Sequence, residues 1–325
     1  MDLYPLLMSP AFQHGADTPW GGTMLRDIFM KDAPDEPTGA SLEACAQPGL
    51  ESLVGNGAHA GKTLSRMVEL WGEALTGAAD GKFPLLVKLL DTQQPLSVQV
   101  CPDDAEKSGR SAAWVILNAE PGAKIVYGLE DGVGDPRALL NEDRVAESLH
   151  WEPARVSDVF YIPAGMAHAV GAGIQCYEIQ DSGELSYRLW DWDRGREVHI
   201  DKALEALKPG LRRDRNEGTT ALCKGGSRTY YVSDRHFELC RLNLSGRMPL
   251  ESGRMLALTA LAPCAIQWPG GELEIAPFAT VIVPAALEGA ALTGNARLMM
   301  ASLPEREPLR ELLGYRAENV AGLVD

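Results

Sequence analysis

Cys101, in Gln99-Val100-Cys101-Pro102-Asp103-Asp104, and His168, in Tyr161-Ile162-Pro163-Ala164-Gly165-Met166-Ala167-His168, are the side chains best suited to chemistry. A thiolate and a neutral imidazole both ligate zinc well, and a catalytic zinc takes three protein ligands and leaves one position open. No carboxylate obviously joins the pair. Each also has a plain reading, Cys101 as a small buried hydrophobe and His168 as a hydrogen-bonded structural histidine. Lys88 is the single charge in the apolar run 83–90. A buried cation needs a partner, so Lys88 pairs with a carboxylate such as Asp91 or Glu178, or it points at a substrate. Glu178 lies ten residues past His168, where strand alternation can turn it toward the same place and a raised pKa would suit it to proton transfer. It could equally be the ion-pair partner of Lys88 or Arg188.

Short strands must position these groups. Residues 97–101, 114–117 and 123–127 alternate or are β-rich, and residues 156–163 and 174–179 continue the pattern after turn residues. Residues 83–90 form a buried strand or a buried helical turn. A helix starts behind Thr63, where Leu64, Met67, Val68 and Trp71 fall at helical spacing, and residues 135–152 also read as helical. Residues 1–80 otherwise read as loop and helix. Closely spaced strands suggest a mainly β jelly roll rather than a βαβ fold. A weaker echo of residues 156–163 at 275–284 places Gly289 where the first copy has His168, which suggests a second, smaller β domain without chemistry. The polar stretch 209–227 reads as the linker, giving domains 1–210 and 211–325.

Composition narrows the function. A net charge of −15 over 325 residues excludes nucleic acid and anionic membrane as partners, since both require clustered Lys and Arg. An anionic substrate must therefore meet local positive charge. Six cysteines without a CxxC pair, in a chain with no basic and apolar leader, suggest a reduced, cytoplasmic setting. No apolar run approaches the ~18 residues of a membrane span.

The segment Phe83-Pro84-Leu85-Leu86-Val87-Lys88-Leu89-Leu90-Asp91, followed by Leu96-Ser97-Val98-Gln99-Val100, resembles the signature of type I mannose-6-phosphate isomerases, zinc-dependent cupin enzymes. The likeness is to the short bacterial form. Trp20-Gly21-Gly22, residues 114–128, residues 158–173 and Tyr187-Arg188-Leu189-Trp190-Asp191-Trp192-Asp193-Arg194 follow in the family's order, so the likeness spans residues 5–200. It implies a cupin-type jelly roll with helical insertions, a cupin-like C-terminal domain, and interconversion of mannose 6-phosphate and fructose 6-phosphate through an enediol. Metal ligands implied by the motifs are Gln99, Cys101 in place of a histidine, and His168. The carboxylate of the family's Gly-Lys-Thr-Glu segment maps to Ala112, in a loop several residues shorter than usual. Arg188 takes the position of the family's catalytic arginine, and Lys88 and Trp20 fall among implied substrate-binding positions.

The zinc site is thus expected in weakened form. A missing carboxylate would have to come from Asp103, Asp104, Glu106 or Glu178. Two readings follow: a metal-assisted sugar-phosphate isomerase, or a catalytically degenerate cupin that binds a sugar phosphate or small anion as a sensor or accessory protein.

Overall fold

The computed structural model describes residues 2–103, 110–132, 137, 144–183, 185–211 and 216–323. Its strands run β1 (Leu6–Ser9), β2 (Ala11–His14), β3 (Thr38–Ala44), β4 (Leu53–Val54), β5 (Leu85–Thr92), β6 (Val98–Val100) and β7 (Ala112–Ala119). There follow β8 (Lys124–Leu129), β9 (Leu149–Pro153), β10 (Val159–Ile162), β11 (His168–Val170), β12 (Ile174–Asp181), β13 (Tyr187–Trp190) and β14 (Thr219–Cys223). The last are β15 (Gly226–Ser233), β16 (Glu238–Pro249), β17 (Leu256–Ala260), β18 (Cys264–Trp268), β19 (Gly271–Ile275), β20 (Thr280–Val283) and β21 (Ala291–Ser302). The expected mainly β architecture is what the chain adopts.

Two compact units emerge. The first holds residues 1–12, 41–88 and 216–325, and the second residues 13–40 and 89–215. The sequence division into 1–210 and 211–325 differs in composition from these units. The change of unit at 215/216 lies in the stretch read as a linker, but two N-terminal segments pack with the C-terminal strands.

Much of the first unit is a sheet ordered β14-β15-β16-β21-β17-β20-β1-β4, to which the β18–β19 hairpin attaches through β21. The second unit holds a five-stranded sheet, β13-β6-β11-β8-β9, and the strands ordered β10-β7-β12. Alternation makes the five-stranded sheet two-faced. Val98, Val100, Val126, Ala169 and Leu189 pack with Ala203 and Leu207, at and just beyond the helix Ile200–Ala206. Burying each Val or Leu there contributes roughly 1.5–3 kcal/mol, and a slip of one residue would turn them all outward. The intervening Gln99, Tyr127, His168 and Arg188 are thereby held on the opposite face.

Several expectations hold locally. The helix Leu64–Trp71 forms, and Thr63 caps it by accepting a hydrogen bond from Arg66 N at 3.1 Å. Residues 85–92 are strand. Other expectations are corrected. Residues 1–80 are not only loop and helix, since β1 to β4 lie there. In the helical expectation for 135–152, residues 138–143 lie outside the described residues, Val145–Ser148 is a 3-10 turn and Leu149–Pro153 is a strand paired with β8. The supposed linker carries the β14–β15 hairpin. No helix among the described residues is long and apolar enough to cross a membrane.

Candidate active site

Four strands carry one cross-strand row. Arg188 on β13 stands opposite Gln99 on β6, Gln99 opposite His168 on β11, and His168 opposite Tyr127 on β8. A second row runs over three strands of the other sheet, with Phe160 opposite Trp114 and Trp114 opposite Glu178. The rows meet ring to ring. Trp114 lies edge-on to His168 at 5.7 Å, and Tyr127 edge-on to Phe160 at 5.4 Å.

Hydrogen bonds fix the orientation of each group. His168 Nδ1 donates to Met166 O at 2.8 Å, and its Nε2 faces Cys101 Sγ at 4.0 Å. The Cys101 backbone is pinned by Gly165 N, which donates to Cys101 O at 2.7 Å. Trp114 Nε1 donates to Glu178 Oε1 at 2.8 Å, and the Glu178 side chain is only 7% exposed. Gln99 Nε2 donates to Ser97 Oγ at 3.2 Å, while the Ser186 hydroxyl donates to Gln99 Oε1. Arg188 donates to the Glu197 carbonyl and, at 3.4 Å, to Ser97 Oγ. Burial and the neighbouring Arg196 lower the Arg188 pKa.

Arg110 completes the cluster. Its backbone N donates to Pro102 O at 3.3 Å. The residue as a whole is half-buried, but its Nε is enclosed and has no hydrogen-bond partner. Burial alone would lower the Arg110 pKa; the charges of Cys101 and Glu178 outweigh it and raise the value, so the guanidinium stays charged. Conversely, burial pushes the Cys101 thiol up, but Arg110 and His168 overcome it and lower the pKa to about 6.

The structure brings Gln99, Cys101, His168, Glu178 and Arg188 together. Trp20 is buried in the same unit, its ring against Gly39, where a Cβ would fall 2.5 Å from it. Lys88 is half-buried on β5 and falls in the first unit. Asp91, one of its expected partners, instead accepts hydrogen bonds from Met24 N and Gln175 Nε2, each at 2.7 Å.

A family model described as phosphomannose isomerase type I, catalytic domain, matches residues 8–119. A mannose-6-phosphate isomerase of Streptococcus mutans is 32% identical over 245 residues, covering 71% of this chain and 77% of that protein. The chain belongs to the type I phosphomannose isomerase family. The family's ManA enzyme from Bacillus subtilis is 31% identical over 278 residues, 80% of this chain and 86% of its own. A crystal structure of a Bacillus subtilis mannose 6-phosphate isomerase superimposes with a TM-score of 0.84 at 27% identity, covering 91% of this chain and 99% of that one. A zinc-bound mannose 6-phosphate isomerase shares the fold at a TM-score of 0.72 and 14% identity, covering 92% and 99% of the two chains.

Among the described residues of this phosphomannose isomerase family member, the donor set offers no third ligand for zinc. Ala112 sits on the same face of β7 as Trp114, opposite Ile162 and Gln180, and has no donor atom. Asp103 is ion-paired with Lys208 Nζ at 2.6 Å, Glu178 is engaged by Trp114, and Gln99 Oε1 is taken by Ser186. Asp104 and Glu106 lie outside the described residues. Among the described residues no three His, Cys, Asp or Glu side chains converge on a metal-sized gap.

Sequence reasoning missed Arg110, Trp114 as the link between Glu178 and His168, and the Ser97 and Ser186 clamps on Gln99. A signal for Arg110 existed. In Gly109-Arg110-Ser111-Ala112 it takes the lysine position of the segment whose glutamate is lost.

Proposed function

We propose that this protein is a mannose-6-phosphate isomerase that interconverts mannose 6-phosphate and fructose 6-phosphate. The observation that carries the reading is the facing of the Arg188–Gln99–His168 row and the Trp114–Glu178 pair, in a chain whose relatives bear that activity in their names. Glu178 is the proposed acid–base residue, enclosed and aimed by the Trp114 N–H. Arg188 gives a chain of net charge −15 a local cation for the phosphate. Lys88 and Trp20 remain proposed substrate-binding residues, and no step is routed through a metal.

The cytoplasm is the proposed location, supported by free cysteines at 45, 101, 176, 223, 240 and 264. The test is a coupled assay for fructose 6-phosphate formed from mannose 6-phosphate. Turnover that is lost in Glu178→Gln supports the reading, and no turnover at saturating substrate rejects it. One observation favours a second reading. Ala112 in the carboxylate position fits a non-catalytic binder, which would melt higher with mannose 6-phosphate yet convert none of it.

A further inference from the structure

We propose that His199 is a positioning residue for Arg188: together with the Glu197 carbonyl it fixes the backbone and the guanidinium of the arginine assigned to the phosphate, and so sets the affinity for the phosphorylated sugar. The inference rests on the isomerase reading, in which Arg188 holds the phosphate.

The need for such a device follows from where Arg188 stands. β13 lies at the end of the five-stranded sheet, beside β6. On an edge strand every second residue turns its N–H and C=O away from the sheet, where no further strand meets them. Pairing with β6 is also irregular between Arg188 and Trp190, so the ladder is interrupted directly after the residue whose placement matters. Strand register alone therefore fixes Arg188 weakly.

His199 takes the place of the missing strand. Its backbone N donates to Arg188 O at 2.7 Å, and its ring Nδ1 accepts from Arg188 N at 3.2 Å. One residue thus satisfies both outward backbone groups of Arg188, using a side-chain nitrogen where a ladder would use a carbonyl. A backbone N–H can only donate, so Nδ1 is the unprotonated nitrogen of this ring. The Glu197 carbonyl, on the same segment, accepts from the Arg188 guanidinium. Main chain and head group of the arginine are held from one side.

The clamp is braced at both ends. Upstream, Asp191 accepts from Arg194 Nη2 at 2.8 Å and from Arg196 Nε at 2.9 Å, which ties the turn that returns the chain toward Arg188. Downstream, His199 precedes the helix Ile200–Ala206, and Ala203 N donates to His199 O at 2.8 Å. Ala203 and Leu207 belong to the same buried cluster as Val98, Val100 and Leu189, so the helix is seated on the strands that carry Gln99 and Arg188. The His199 ring also lies 6.3 Å from that of Tyr187, a packing contact that the test has to separate from the hydrogen bond.

Calorimetric titration of the full chain with mannose 6-phosphate and with mannose makes that separation. His199→Ala should weaken mannose 6-phosphate binding about 5- to 10-fold, as loss of one net hydrogen bond does, and leave the affinity for mannose unchanged. In His199→Asn the amide oxygen lies about where Nδ1 was and accepts the same N–H, so affinity should stay within about twofold of wild type. His199→Phe keeps a ring beside Tyr187 but offers no acceptor, and should match the alanine variant. On an Arg188→Ala background His199→Ala should remove nothing further, since the two act as one unit. Denaturant unfolding establishes that each variant is folded. Affinity restored by phenylalanine but not by asparagine, or a His199→Ala loss that persists undiminished without Arg188, overturns the inference and leaves the isomerase reading intact. If Arg188→Ala itself keeps full affinity for mannose 6-phosphate, the phosphate role of Arg188 fails and the inference falls with it.

Discussion

Trp114 donates its indole N–H to Glu178 Oε1 at 2.8 Å from the directly opposite position on the neighbouring strand, and the same ring lies edge-on to His168. One side chain therefore sets both the buried carboxylate and the imidazole of the opposing sheet.

Trp114→Phe keeps the ring contact in part and removes the donor. A buried carboxylate that loses a hydrogen bond is less stable in its charged form, so the acidic limb of the kcat against pH profile should move to higher pH. The stability cost should be about 1–3 kcal/mol, read by denaturant unfolding. An unchanged acidic limb would mean that Glu178 does not act as the base.

Arg188 lies in register with Gln99 and half-buried beside Ser97. Arg188→Ala should weaken mannose 6-phosphate binding roughly 10- to 100-fold, as loss of a charge-assisted hydrogen bond does. Arg188→Lys should recover little, because an ammonium cannot offer two parallel donors. Isothermal titration with mannose 6-phosphate and with mannose separates the phosphate contribution: only the phosphorylated sugar should lose affinity.

Asp191 is buried and accepts from Arg194 at 2.8 Å and from Arg196 Nε at 2.9 Å. Burial alone would raise its pKa, but the two guanidinium groups prevail and hold it below the usual carboxylate value. A carboxylate with a lowered folded value stabilises the fold above its unfolded value and loses that contribution as pH falls through the folded value. Asp191→Asn should therefore melt lower than wild type at neutral pH. The two melting points should converge in strong acid.

Much of the positioning framework was legible. Strands around Gln99, Trp114 and Glu178 read correctly because their alternation is local, and the Thr63-capped helix has both its cap and its apolar spacing in sequence. Strand β9 reads as helix because Leu149 completes a helical spacing with Val145, while the β8 residues that it pairs with lie 20 to 29 positions upstream. β1 and β4 were invisible for a similar reason: Leu6 pairs with Ile282, and β4 has only two residues.

The supposed linker became a hairpin through its glycines. Gly225 has φ +81°, and a Cβ there would fall 2.1 Å from Arg247 O. Gly225→Ala should destabilise the first unit by more than the roughly 1 kcal/mol of an ordinary glycine replacement, because strain and a backbone clash act together. Denaturant unfolding checks this, and a change under half that size would contradict the close approach.

The coupled assay on wild type and Glu178→Gln tests the isomerase activity itself. The wild-type chain should form fructose 6-phosphate steadily from mannose 6-phosphate, with kcat at least about 100-fold lower in the variant, in line with loss of a general base. Saturating mannose 6-phosphate left unconverted by a folded wild-type chain, with or without added zinc, would contradict it.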